Sequence, residues 1–177
     1  LTTKLFIPPP RANFVPRPRL IGKLDDGLRL GRRLTLISAP AGFGKTTLLS
    51  DWLHHADRLA AWLSLDDGDN DPARFLAYLL TALQEIDAQI GPAPSVMLQA
   101  AEGLPLESFL TDLVNDIAAI SQSSILVLDD YHVVEAATIH KAISFLLDHL
   151  PSIEHGLHLV IATRADPPLP LARLRAR

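Results

Sequence analysis

Ten residues in the first third of the chain constrain its fold more than any others do. Residues 38–47 read SAPAGFGKTT, and they stand between the β-prone run LTLI and a run with helical spacing that begins at Lys45. A strand, a glycine-bearing loop, Gly-Lys-Thr and then a helix is the order of a phosphate-binding loop. Small residues let successive backbone N–H groups turn inward around a polyphosphate, and the helix N-terminus adds partial positive charge. The stretch therefore predicts a site for the phosphates of a nucleotide.

The loop also predicts a role for individual side chains. Lys45 is expected to reach the β- and γ-phosphates, and Thr46 is expected to offer its hydroxyl to Mg²⁺. Ala39 stands where the consensus has its first glycine, which is acceptable if that residue has a negative φ. The alternative is a glycine-rich turn with an incidental lysine, and the flanking strand and helix argue against it. The residues predicted to hold the phosphates are Ala41, Gly42, Phe43, Gly44, Lys45, Thr46 and Thr47.

A second candidate motif follows the apolar run ILVL at 125–128. Four apolar residues without alternation are typical of a strand buried on both faces of a parallel sheet, and this run ends in Asp129 and Asp130. Ligands of open α/β sheets lie outside the carboxyl ends of the strands. We therefore expect Asp129 to hold Mg²⁺, and Asp130 to orient or deprotonate the attacking water. A helix-capping role would account for only one of the two carboxylates.

Arg164 ends the next buried strand, LHLVIAT at 157–163, on the same predicted edge. A guanidinium there could sense a γ-phosphate of the nucleotide. The alternative is a salt bridge to Asp129, Asp130 or Asp166. The use of arginine in phosphate-loop sites favours the sensor role.

Composition limits the classes of protein that remain. The chain has 177 residues, 48% of them apolar and 20% charged, which suits one globular domain. A net charge of −4 gives no basic footprint for nucleic acid, and the absence of cysteine excludes disulfides and thiolate metal sites. No apolar run approaches the ~20 residues of a membrane helix, so we expect no membrane partner.

Alternating strand and helix patterns predict a three-layer α/β P-loop domain with a parallel sheet of at least four strands. The domain is expected to span 20–177, after an extended, proline-rich arm at 1–19. That arm could be a packed extension or a wall beside the adenine. The segment 95–103 could be a short helix or a loop. Strands are predicted at about 34–38, 60–65, 124–129 and 157–163, and helices at about 20–30, from 72 onward, at 105–120 and at 135–150. Residues 171–177 could be an exposed surface helix or a frayed end.

Two further clusters have a plain structural explanation. The acidic run at 66–71 lacks EF-hand spacing, and Asp71 before Pro72 is typical of a helix cap. His132, His140 and His149 lack ligand spacing and are expected at the surface or at helix caps.

Together these motifs closely resemble the nucleotide-binding domain of the large ATP-dependent LuxR-type transcription regulators, which belong to the STAND group of signalling P-loop ATPases. The stretches that carry the resemblance are TKL at 3–5, RPRL at 17–20, APAGFGKTT at 39–47, AWLSLD at 61–66, DNDP at 69–72, LDDYH at 128–132 and the run from 161 to 177. Alanine at the first loop position is usual in that family. The resemblance covers nearly the whole chain.

The resemblance implies more than the residues show. Val15, Arg17 and Arg19 would lie near adenine or ribose. A last sheet strand would follow soon after Arg177, so the sheet is expected to lack it. Winged-helix, helical-repeat and C-terminal helix-turn-helix regions would lie further along a cytoplasmic regulator, and DNA would be bound only by the last of these. ADP would hold a closed resting state, and inducer with ATP would favour an open, self-associating state.

The resulting prediction is an ATP/ADP-binding switch module that uses Mg²⁺ and hydrolyses ATP slowly at most. The alternatives are a P-loop phosphotransferase or another ATPase not linked to transcription, and a scaffold that binds no nucleotide. A small-molecule kinase would need an acceptor pocket and an arginine-bearing lid, and the sequence gives no sign of either.

Overall fold

The computed structural model describes residues 2–10, 14–91, 106–151 and 156–175. The predicted helix or loop at 95–103 lies outside this part of the chain. All four predicted strands are present, each within one residue of the expected bounds. They are β1 (Leu34–Ser38), β2 (Leu59–Ser64), β3 (Ser124–Asp129) and β4 (Leu157–Thr163).

The predicted helices are also present, with small shifts at their ends. They are α1 (Pro18–Arg29), α2 (Lys45–His55), α3 (Pro72–Gln84), α4 (Leu106–Ala118), α5 (Ala137–His149) and α6 (Leu171–Arg175). The start of α3 follows the sequence prediction: Asp71 accepts a hydrogen bond from the backbone N–H of Arg74 at 2.7 Å, and Pro72 occupies the first turn. No helix within the described ranges is both long and apolar enough to cross a bilayer.

The strands form one parallel sheet in the order β1-β4-β3-β2. The register places Ser38 opposite Thr163 and Ser64 opposite Asp129. The carboxyl ends of all four strands therefore lie at one edge of the sheet, which collects the loops that follow them.

Side chains that alternate along each strand pack into two separate cores. In β3, Ile125 and Val127 join a cluster with α1 and α2, whereas Leu126 and Leu128 join a larger cluster with α3, α4 and α5. Every residue of β3 and β4 is buried, as continuous apolar strands require. The predicted three-layer α/β fold is confirmed.

The N-terminal residues pack against this domain. Lys4 is buried in a short 3₁₀ turn and forms ion pairs with Asp66, at 3.0 Å, and with Asp69. Ser50 of α2 donates a hydrogen bond to the carbonyl of Pro8. Within residues 2–10, the arm is thus an ordered part of the fold.

One prediction about the histidines is wrong. His149 is exposed as expected, but His140 is buried on the inner side of α5, where its Nδ1 lies 3.0 Å from the hydroxyl of Tyr131. His140 lies on the same buried face of α5 as its apolar neighbours, and the tyrosine hydroxyl provides a hydrogen-bond partner for the ring nitrogen.

Candidate nucleotide-binding site

The loop between β1 and α2 has the backbone that its glycines predict. Gly42 and Gly44 have φ values of 81° and 75°, a region that costs other residues steric strain. Ala39 is not among the described residues with positive φ, so its methyl group is tolerated at the first loop position. Its N–H donates to the carbonyl of Thr163 at 3.2 Å and fixes the start of the loop to β4.

Lys45 is held inside this loop. Its side chain is buried, and Nζ donates to the carbonyls of Ala39 at 2.7 Å and Pro40 at 3.2 Å. The loop therefore encircles an ammonium group beside the first turn of α2. Positive charge from the lysine and from the helix N-terminus acts at the same place.

Thr46 and Asp129 meet across the sheet edge. The hydroxyl of Thr46 donates to Oδ2 of Asp129 at 2.7 Å. The loop that leads to Thr46 follows β1, whereas Asp129 ends β3, and β4 lies between these two strands. The other oxygen of Asp129 accepts the N–H of Asp130 at 2.9 Å. Burial and the neighbouring Asp130 raise the pKa of Asp129, while the Thr46 hydrogen bond and Lys45 oppose that rise.

The donor set of this pair fits a magnesium ion. A carboxylate and a hydroxyl are hard oxygen ligands, and Mg²⁺ is usually bound through one or two carboxylates together with substrate phosphates. Asp129 is only 3% exposed and its hydrogen bonds come from neutral groups, so a cation would relieve the cost of burying its charge.

Asp130 has an unusual backbone. Its φ of 57° is the only positive value at a non-glycine residue in the described ranges. Its carboxylate is about half exposed and lies 3.7 Å from Nδ1 of His132. Non-glycine residues in this conformation cluster at functional sites.

His132, which was expected at the surface or at a helix cap, is a neighbour of the site. Its Nδ1 is buried and has no hydrogen-bond partner among the described residues. Burial lowers its pKa, and the charges of Arg164 and Lys45 lower it further. Its position two residues after Asp130 was the available signal, since the loop that carries Asp130 must also carry the residues that follow it.

Arg164 lies at the end of β4 and is exposed. Within the part of the chain that the structure describes, it forms neither an ion pair nor a side-chain hydrogen bond. Asp166, one of its possible partners, instead lies 3.7 Å from Arg175. The salt bridges offered as the alternative explanation for Arg164 are therefore not formed there, and its guanidinium faces solvent on the edge shared with Asp130.

The two arginines of the arm differ in their contacts. Arg17 donates from Nη1 to the carbonyl of Phe43 at 2.8 Å, and a Cβ added to Gly44 would lie 3.4 Å from its Nη2. Arg19, in the first turn of α1, is exposed and has no hydrogen bond to the loop in the described structure. A cleft of about 220 Å³ lies between the arm and the loop; its lining includes Phe14, Val15, Arg17, Gly42, Gly44 and Thr47.

Comparison with known proteins gives full-length similarity to one kind of regulator. No family model matches the chain. Proteins described as "HTH-type transcriptional regulator MalT" are 40% identical in Cronobacter sakazakii, 36% in Vibrio cholerae and 37% in Klebsiella pneumoniae, each over 177 residues. The match covers all of this chain but 19% of each relative, so this chain spans about a fifth of their length.

Two solved structures resemble the chain more distantly. A Walker-type ATPase of Pyrococcus abyssi gives a TM-score of 0.48 at 17% identity, over 89% of this chain and 48% of the other. PCH-2 of C. elegans gives a TM-score of 0.46 at 12% identity, over 89% of this chain and 40% of the other.

Proposed function

We propose that this chain, which is a MalT-like P-loop domain, is the nucleotide-operated switch of a transcriptional regulator. It would bind ATP or ADP with Mg²⁺ and hydrolyse ATP slowly. The observation that supports this most directly is the hydrogen bond of 2.7 Å between Thr46 and Asp129. It joins the phosphate loop to the acidic end of β3, beside a buried Lys45.

Each group at the edge has a role in this proposal. The N–H groups of 41–47 and the ammonium of Lys45 bind phosphate oxygens. Thr46 and Asp129 hold the Mg²⁺, which when bound neutralises charge on the β- and γ-phosphates. Asp130 orients a water molecule and accepts its proton, and Arg164 contacts the γ-phosphate. Arg17 and Arg19 border the nucleoside, as residues of an arm at 1–19 that precedes the nucleotide domain at 20–177.

Slow turnover follows from the arrangement of these groups. Arg164 is exposed and the carboxylate of Asp130 is about half exposed, so solvent screens the charges of both groups. Strong catalysis requires preorganised groups in a site without water. A domain with a well-formed phosphate loop and solvent-screened hydrolytic groups suits a protein whose bound nucleotide sets its state.

The role of the whole protein belongs to the same proposal. The switch would belong to a cytoplasmic LuxR-type regulator of the STAND group, in which ADP keeps the resting state closed. ATP and an inducer would favour self-association, and a helix-turn-helix elsewhere in the protein would contact DNA. The chain described here carries a net charge of −4, so we expect it to have no sequence-specific affinity for DNA of its own.

The first test is nucleotide binding by titration calorimetry with ATP and Mg²⁺. We expect the Lys45→Ala variant to bind roughly 10- to 100-fold more weakly, since one charge-assisted hydrogen bond to phosphate is lost. Lys141→Ala, at an exposed position of α5, serves as the matched control and should bind like the wild type. Equal affinity of the Lys45→Ala variant would defeat the proposal. Phosphate transfer that depended on an added acceptor would favour a phosphotransferase instead.

A further inference from the structure

The residues that follow β3 form an irregular connection that carries part of the candidate site. This post-β3 segment, residues 130–136, contains the strained Asp130, a 3₁₀ turn at Tyr131–Val133 and the approach to α5. Its backbone groups have no place in the sheet. Any precision in the position of Asp130 must therefore come from contacts outside the sheet ladder.

Buried Tyr131 supplies one of those contacts, through its hydroxyl to Nδ1 of His140, and Asn70 supplies others from a different loop. Its Oδ1 accepts the N–H of Glu135 at 2.6 Å and of Ala136 at 3.1 Å. Its Nδ2 donates to the carbonyl of Val133 at 2.8 Å and to that of Asp67 at 3.2 Å. Both acceptor and both donor positions of the amide are used, and three of the four bonds reach the post-β3 segment.

Asn70 is itself fixed by the turn in which it lies. This acidic turn, residues 66–70, follows β2, and Asp69 accepts the N–H of Asp66 at 2.8 Å. Asp69 is completely buried and forms ion pairs with Lys4 and, at 3.1 Å, with Arg74. Buried ion pairs of this kind hold a turn in one geometry, because losing a partner would leave a buried charge uncompensated.

The residue before the acidic turn also contacts the residue before the post-β3 segment. The N–H of Leu65 donates to the carbonyl of Asp129 at 3.0 Å, immediately before Asp130. Asp130 and His132 thus lie between two attachments to the same neighbouring loop: the backbone bond at Asp129 and the Asn70 bonds that begin at Val133. The attachment at Asp129 is part of the strand pairing, whereas the second depends on a single side chain.

We propose that Asn70 is a positioning residue, which fixes the post-β3 segment and thereby the carboxylate of Asp130 for the hydrolytic step. The inference rests on the proposed function of the site. In the described ranges Asn70 forms no hydrogen bond to the phosphate loop or to Lys45, so nucleotide binding should be independent of it. Aspartate cannot replace it, because a carboxylate would bring an acceptor against the carbonyls of Val133 and Asp67.

The test compares Asn70→Asp and Asn70→Ala with the wild-type chain in steady-state ATP hydrolysis and in ATP binding. We expect kcat to fall roughly 10- to 100-fold, because a small displacement of a reacting group has effects of that size. The dissociation constant for ATP with Mg²⁺ should change less than about threefold. Asn115→Asp, at an exposed position of α4, is the matched control and should retain the wild-type kcat. An unchanged kcat in both Asn70 variants, or equal losses of binding and turnover, would overturn the inference.

Amide hydrogen exchange separates this inference from the proposed function. In Asn70→Ala the N–H groups of Glu135 and Ala136 lose their acceptor and should exchange faster than in the wild type. Asn70→Asp keeps an acceptor, so these two amides should be better protected in it than in Asn70→Ala. Unchanged protection of both amides in Asn70→Ala would show that Asn70 does not hold the segment. A wild-type chain that bound ATP but never hydrolysed it would instead refute the hydrolytic part of the proposed function and the role of Asp130.

Discussion

At the scale of single residues, Asp130 combines a strained backbone with an unfavourable charge. It has a φ of 57° and stands beside the buried Asp129, whose pKa it helps to raise. Asparagine tolerates the same backbone and lacks the charge. We expect Asp130→Asn to raise the free energy of unfolding at neutral pH by about 0.5 kcal/mol, a small value because solvent screens the half-exposed carboxylate. Turnover should fall by ~10²-fold or more if Asp130 handles the proton.

Urea unfolding and ATP hydrolysis, measured on the same preparations, test both parts of this expectation. Asp57→Asn, at an exposed position before β2, is the control and should alter neither quantity. A variant that lost stability and kept full turnover would contradict the assignment of Asp130.

The residue scale also shows where sequence reasoning stops. The meeting of Thr46 with Asp129 was predictable, because Thr46 follows β1 and Asp129 ends β3, and the carboxyl ends of these strands share one edge. The partners of Asn70 were not, since they are backbone groups 63–66 positions further along the chain and leave no side-chain pattern. The burial of His140 was missed for a similar reason, because its hydroxyl partner comes from Tyr131, in the preceding loop.

At the scale of elements, local rules place helix and strand ends well. Asp71 caps α3, as the Asp-Pro pair predicts, and its carboxylate accepts the N–H of Arg74. We expect Asp71→Ala to lower the free energy of unfolding by about 1 kcal/mol, because one N-terminal amide of the helix loses its acceptor. Urea denaturation measures this loss, with Asp57→Ala as a control that should be nearly neutral. An effect below about 0.3 kcal/mol would mean that water replaces the cap at no cost.

The positions of the strands were predictable because buried strands leave a clear pattern of apolar residues in the sequence. Burial on both faces makes β3 and β4 continuous apolar runs. The order of the strands in the sheet depends on how the crossover connections pack, so it cannot be predicted from the sequence of any single strand. The order β1-β4-β3-β2 places β4 between the two candidate motifs, so the side chain of Thr46 has to reach Asp129 across it.

In the molecule as a whole, the amino edge of the sheet contains a buried ionisable group, His158. Its Nδ1 lies 2.5 Å from the carbonyl of Arg32, which can only accept, so this nitrogen carries the proton. Nε2 therefore accepts from the hydroxyl of Thr35 at 2.9 Å. Protonating the ring would break that bond and place a charge on a buried group. Burial therefore lowers the pKa of His158, and the charge of Arg58 lowers this pKa further. The hydrogen bond to Arg32 opposes the decrease.

This neutral histidine should make the stability of the whole domain sensitive to acid. Below an ordinary pKa of ~6.5, His158 binds a proton in the unfolded chain but not in the folded chain. The free energy of unfolding therefore decreases as the pH is lowered, until the lowered pKa of folded His158 is reached. The slope from this ring reaches about 1.4 kcal/mol per pH unit, and the lowered pKa values of His132 and His140 add to it with the same sign. Urea unfolding between pH 7 and pH 5 should therefore show a decline that His158→Gln makes shallower. His149→Gln, at an exposed position, is the control and should keep the wild-type decline. A His158→Gln profile parallel to that of the wild type would show that folded His158 can be protonated without a loss of stability.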